Sequence, residues 1–139
     1  MTHNMTHSAT TLEQYYQGIE VQGNQRTPEH AVRVSDAVLR TLGFNLSGGV
    51  KRKLVDSLPE ELGRKLKRGW RLIHFRNRNI TLQQFSKDVG LHTGNTDPQF
   101  AETITRAVFH NLKMLIDDDL NREIAKDLGP ELRRAWNTA

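Results

Sequence analysis

The sequence predicts an all-α helical bundle made of two tandem repeats of about four short helices each, packed with approximate two-fold symmetry. Three observations carry that expectation. Residues 11–66 lie over residues 81–136 without a gap, at a constant offset of 70. Within each copy, apolar residues recur at the i, i+3, i+4, i+7 spacing that makes one face of a helix. No stretch sustains the two-residue alternation, rich in β-branched residues, that marks a strand.

The register is specific. Thr11-Leu12 falls on Thr81-Leu82, Gln14 on Gln84, Tyr15 on Phe85, Ile19 on Val89 and Val21 on Leu91. Pro28 meets Pro98, Ala31 meets Ala101, Val34 meets Ile104, and Ala37-Val38 meet Ala107-Val108. The match runs on through Leu42 and Leu112, Leu54 and Ile124, Leu58 and Leu128, to Leu66 and Trp136. Thirteen of the 56 pairs are identical. Helical periodicity alone would not also superimpose the prolines and the loops.

In the first copy, Leu12, Tyr15, Tyr16 and Ile19 predict a helix over roughly 11–21, preceded by a polar, disordered tail over 1–10. Thr27-Pro28 and Asp97-Pro98 open the second helix of each copy. A cap-forming side chain accepts orphan backbone donors, and proline in the first turn forfeits no hydrogen bond. The inward stripe there is Ala31, Val34, Val38 and Leu42, matched by Ala101, Ile104, Val108 and Leu112. Ser47-Gly48-Gly49 and Asp117-Asp118-Asp119 start the third helices, with Val50 and Leu54, or Leu120 and Ile124, facing in. Pro59 and Pro130 mark the fourth, whose buried residues are Leu58, Leu62 and Leu66, or Leu128, Leu132 and Trp136. Helices this short are marginal alone and depend on tertiary packing. A unit of about seventy residues buries only about 60% of its unfolded surface, so the two copies are expected to share one compact body.

This pattern resembles a bacterial family known as domain of unknown function 2267. The residues that carry the resemblance are Leu82-Gln83-Gln84-Phe85 with Val89, the helix from Ala101 through Ala107-Val108 to Leu112, the run Leu58-Pro59-Glu60-Glu61-Leu62, and the closing segment from Leu128 to Trp136. One departure stands out: Gly129 separates Leu128 from Pro130, which leaves the start of the last helix open. The resemblance implies a helical bundle, and it supplies no catalytic residue.

Composition narrows the function classes. With no cysteine among 139 residues, disulfides, thiolate metal sites and cysteine nucleophiles are excluded. No apolar run approaches the roughly 20 residues that span a bilayer, and the N-terminus lacks the layout of a signal peptide, so a cytoplasmic location is expected. The net charge is +4, yet the junction between the copies holds Arg64, Lys65, Lys67, Arg68, Arg71, Arg76 and Arg78 without one acidic residue. The rest of the chain is therefore net acidic. Trp70, His74 and Phe75 interleave with these cations, and such mixtures can neutralise phosphates and stack on bases. Arg64, Lys65, Lys67, Arg68, Trp70, Arg71, Arg76 and Arg78 are thus the candidate residues for a polyanion or a protein partner, with Lys51-Arg52-Lys53 extending them if the third helix lies close. The competing reading is a solvated linker whose Trp70, Leu72, Ile73 and Phe75 plug the groove between the copies.

Other constellations read as structural. Asp117-Asp118-Asp119 lacks the alternating ligands, central glycine and distal glutamate of a calcium loop, and reads as helix capping. The six histidines form no ligand spacing. Neither a nucleophile elbow nor a phosphate loop is present. Arg52, Glu61 and Arg64 recur as Arg122, Glu131 and Arg134, which suggests a charge network tying the third and fourth helices together. The expected function is therefore that of a non-catalytic helical protein-interaction module. It needs no cofactor or metal, and its partner is another protein. Nucleic-acid or polyanion binding through Arg64–Arg78 is the alternative.

Overall fold

The computed structural model describes residues 2–68, 80–94 and 97–139, with side chains from residue 11 onward. Among the described residues there are eight helices and no strand: α1 (Thr2–Gln22), α2 (Pro28–Asn45), α3 (Gly48–Ser57), α4 (Glu60–Lys67), α5 (Leu82–Thr93), α6 (Pro98–Lys113), α7 (Asp118–Asp127) and α8 (Pro130–Thr138). The helices α2, α3 and α4 begin 70 residues before α6, α7 and α8. Trp70, Arg71, Arg76 and Arg78, with the plug expected around Trp70, lie outside the described residues.

Local chemistry accounts for the boundaries. Thr27 accepts from the His30 N–H at 3.2 Å and Asp97 from the Gln99 N–H at 3.0 Å, each just ahead of a first-turn proline. Thr81 caps α5 through the Gln84 N–H at 3.0 Å, and Asp117 caps α7 through the Leu120 N–H at 2.8 Å. The first helix of each copy is followed by a left-handed residue at the same repeat position, Asn24 at φ 55° and Gly94 at φ 77°. Glycine and asparagine are the residues that enter this region most readily. Despite the departure at Gly129, α8 starts at Pro130, with Gly129 in the N-cap position that Pro59 takes for α4. One boundary differs from expectation. α1 begins at Thr2, well before Thr11, through the stretch read as a tail. No proline or glycine precedes Gly18 in that stretch to break it, and extending an existing helix costs far less than nucleating one.

Many of the aligned apolar positions are buried in both halves of the sequence. Tyr15 and Phe85, Ile19 and Val89, Val38 and Val108, Leu42 and Leu112, Leu54 and Ile124, and Leu62 and Leu132 are all buried, in one cluster of side chains drawn from every helix. At the ends of the first helices the matched pair is apolar yet exposed in both copies: Val21 and Leu91 are 80% and 68% exposed. Val21 is two residues past Ile19, about 200° around the helix from the buried stripe. α1 packs against α2 and α6, while α5 packs against α6 and α2; α3 meets α7, and α4 and α8 close on α2 and α6. Phe109 stands between Phe85 and Trp136, with ring centroids 5.7 and 5.1 Å away.

Both tyrosines of the chain anchor α1. Tyr15 is buried with its hydroxyl 2.7 Å from Ser35 Oγ, and half-buried Tyr16 donates to Glu61 Oε2 at 2.5 Å. Burial pushes both phenols far above their usual range, opposed weakly at Tyr15 by the Ser35 hydrogen bond and reinforced at Tyr16 by the Glu61 carboxylate. The unfolded chain takes up fewer protons than the folded one once pH exceeds about 10. Stability from these groups is therefore complete below that pH and is lost as pH rises above it. An alkaline titration followed at 295 nm should show no tyrosinate until the helical circular dichroism collapses, and then both signals should change together. Gradual ionisation near pH 10 with intact helicity would contradict the burial of these hydroxyls.

Candidate functional site

The basic residues of the expected site meet different fates. Arg64, Lys67 and Arg68 lie exposed at the end of α4, one turn apart, where cations complement the carboxyl end of a helix. Lys65 is half-buried, with its ammonium 3.7 Å from Asp36 of α2. The third helix does lie nearby: α3 packs on α4, and its residues join Lys67 around a groove of about 350 Å³ lined by Gly48, Lys51, Arg52, Val55, Asp56 and Lys67. Lys53 points elsewhere, to Glu123 on α7 at 2.8 Å. The tripeptide Lys51-Arg52-Lys53 is thus split between two surfaces, because successive helical residues are about 100° apart.

Lys51 is the residue that sequence reasoning undervalued. It is only 9% exposed, and its ammonium has no hydrogen bond or ion pair among the described residues. Burial lowers its pKa below the usual lysine value. Arg52 and Lys67 are exposed and likewise unpaired among the described residues, and Asp56 is the acidic member of the lining. The N-terminus of α3 adds backbone donors: Ser47 makes no side-chain cap, and a methyl group at Gly48 or Gly49 would meet nothing within 4 Å. Asp127 approaches this turn from α7, accepting the Ser47 N–H at 2.7 Å.

The expected charge network between third and fourth helices does not form. Glu61 accepts from Tyr16 on α1, Glu131 accepts the Leu82 N–H of α5 at 3.2 Å, and Arg122 pairs with Asp119 on its own helix. Each glutamate ties the fourth helix of its copy to the first. Both sit in the first turn of α4 or α8, within reach of a donor on α1 or at the start of α5.

A second groove of about 300 Å³ lies between α1 and α6, at Thr11, Gln14, Tyr15, Asn111, Met114 and Leu115. Two of its four polar side chains are already engaged: Tyr15 with Ser35, and Asn111 with Gln22 at 2.9 Å and the Ala107 carbonyl at 2.8 Å. Of the histidines, His30 and His92 are exposed and His110 is half-buried, and no group of three or more His, Asp or Glu that could hold a metal ion is gathered among the described residues. No described helix is long and apolar enough to cross a membrane.

No curated protein matches the chain. The family model described as "Uncharacterized conserved protein (DUF2267)" matches residues 13–135, which take in all eight helices apart from the outer turns of α1 and α8. The chain belongs to the DUF2267 family.

Proposed function

We propose that the chain is a non-catalytic, cytoplasmic helical interaction module in which two four-helix copies pack about an approximate two-fold axis, and that it docks an acidic protein surface on its α3–α4 face. Two observations support the axis. Most helix contacts recur when α1–α4 are exchanged with α5–α8. α1 on α6 is mirrored by α5 on α2, and α1 on α2, α2 on α4 and α3 on α4 by α5 on α6, α6 on α8 and α7 on α8, while α5 on α8 has no equally extensive counterpart between α1 and α4. Such reciprocity belongs to a closed, isologous pairing rather than to a translated repeat. Lys53 and Glu123, which occupy the same repeat position, touch each other, as residues beside a two-fold axis do.

The observation that carries the docking reading is a difference in charge pairing between the copies. Arg52, Arg64, Lys67 and Arg68 have no acidic partner among the described residues. In the other copy Arg122 is paired with Asp119, Asn137 and Thr138 stand at the positions of Lys67 and Arg68, and only Arg134 is an unpaired counterpart. Unpaired cations on one face steer acidic partners and raise association rates. In a pull-down from native lysate, the wild-type chain should capture a reproducible acidic protein at low salt. The double variant Arg52→Glu, Arg68→Glu should lose it while keeping its helical spectrum. Capture that survives charge reversal, or no reproducible protein at all, removes the reading.

Nucleic acid is the second reading, favoured by the way Lys51 and Arg52 of α3 join Lys67 of α4 around one groove. Phosphate neutralisation gives affinity that falls steeply with salt. Titration with DNA and RNA at several salt concentrations separates the two, and a flat or absent response discards this one.

A further inference from the structure

The two copies serve as an internal comparison, and they differ most around the cleft between the third and fourth helices. In the second copy the polar groups there satisfy one another. Asn121, the counterpart of Lys51, accepts from the Trp136 indole N–H at 2.6 Å. Lys113, the counterpart of Gly43, donates to the Trp136 carbonyl at 2.8 Å. Arg133, the counterpart of Gly63, spans the carbonyls of Ala125, Lys126 and Leu128 at 2.8, 3.2 and 3.1 Å. Asp117, the counterpart of Ser47, caps its own helix. In the first copy each of these fillers is missing. Two glycines stand where Lys113 and Arg133 would be, and Ser47 makes no cap. Lys51 is left nearly buried and unpaired beside a groove of about 350 Å³.

The Lys51 stem is packed away while its ammonium, unpaired among the described residues, opens onto the groove, where a counter-charge would meet it. We propose that this groove is a binding site for a phosphate monoester, whose phosphoryl group is held by Lys51, Arg52, Lys67 and the free N–H groups at the start of α3. The ligand class follows from the donors. Three cations in the lining against the carboxylate of Asp56, with Asp127 at the border, leave a net positive site that favours a phosphoryl dianion over a singly charged carboxylate. Gly48 and Gly49 let an anion approach the backbone, and the helix N-terminus favours negative charge. Asp127, already engaged with the Ser47 N–H, bounds the site on the α7 side. The groove is larger than one phosphate, leaving room for the organic part of an ester.

This site deepens the docking reading, because it lies on the same α3–α4 face, and its test is separate. Backbone amide shifts of the isotopically labelled full chain would be followed against inorganic phosphate and phenyl phosphate at constant ionic strength. An unphosphorylated thymidine oligonucleotide, which carries only phosphodiesters, is the third arm. The Gly48, Gly49 and Val50 amides should shift saturably with both monoester probes and not with the oligonucleotide. Lys51→Met should weaken phosphate binding by about ten-fold, the loss of one hydrogen bond to a charged group. Lys53→Met removes the same charge outside the groove and should leave affinity unchanged. If Lys51→Met does not fold, Lys67→Met replaces it and should weaken binding in the same direction. The site is overturned by absent or unsaturable shifts, by equal weakening in Lys53→Met and the groove variant, or by the oligonucleotide saturating these amides. Phosphate binding with charge-insensitive partner capture would leave this site standing and remove only the docking reading; the converse would remove only this site.

Discussion

Replacing Trp136 with alanine should destabilise the protein by about 3–5 kcal/mol, the usual cost of emptying a large aromatic site in a core. The side chain is fully buried, packs with its ring tilted 59° against Phe109 at 5.1 Å, and satisfies its indole N–H on Asn121. Its main-chain carbonyl also receives Lys113, so a shift of α8 would loosen a second contact with α6. For a chain of this size the loss corresponds to a fall in Tm of roughly 10–20 °C. Trp136→Phe should fall between wild type and alanine, because it keeps most of the packing but leaves Asn121 without its donor. Thermal unfolding followed by circular dichroism measures all three. A Trp136→Ala protein melting within a few degrees of wild type would mean that α8 is not packed as described.

A methyl group at Gly43 should cost about 1–3 kcal/mol, although alanine is otherwise the better helix former by about 1 kcal/mol. The added Cβ would stand 2.4 Å from the Leu66 carbonyl oxygen and 3.4 Å from Lys51 Cε. The obstacle is the main chain of α4, which moves only if the whole helix lifts from α2. Gly48→Ala is the control, since a methyl group there meets nothing within 4 Å and should be neutral or stabilising by about 0.4–1 kcal/mol. Urea midpoints for the pair should therefore move in opposite directions. Equal midpoints would show that α2 and α4 do not approach at Gly43.

The candidate site was only partly legible in the sequence. The basic run at Arg64–Arg68 and the nearby Lys51-Arg52-Lys53 could be read directly, and α3 does bring Lys51 and Arg52 to Lys67. The helical spacing alone separates Lys51, which shares a face with Leu54 and Val55, from Lys53, which shares one with Asp56 and Ser57. One is 9% exposed and the other pairs with Glu123 on the far side, because α4 stands over one face of α3 and α7 over another. The signal that could have found the groove was in the repeat comparison itself: Gly43 against Lys113, Gly63 against Arg133 and Lys51 against Asn121 are small-for-large or charged-for-neutral exchanges that converge on one cleft.

By itself the sequence determined the helices and most of their inward faces. Caps such as Thr27 and Asp97, first-turn prolines and the 3.6-residue spacing of apolar side chains act over one or two turns, and a duplicated pattern states them twice. Tertiary structure alone decided which polar groups met. Glu61 found Tyr16 rather than a neighbouring arginine, Arg133 found three carbonyls, and Lys51 found none. Long charged side chains have little local preference, so their partners depend on which helix the packing sets beside them.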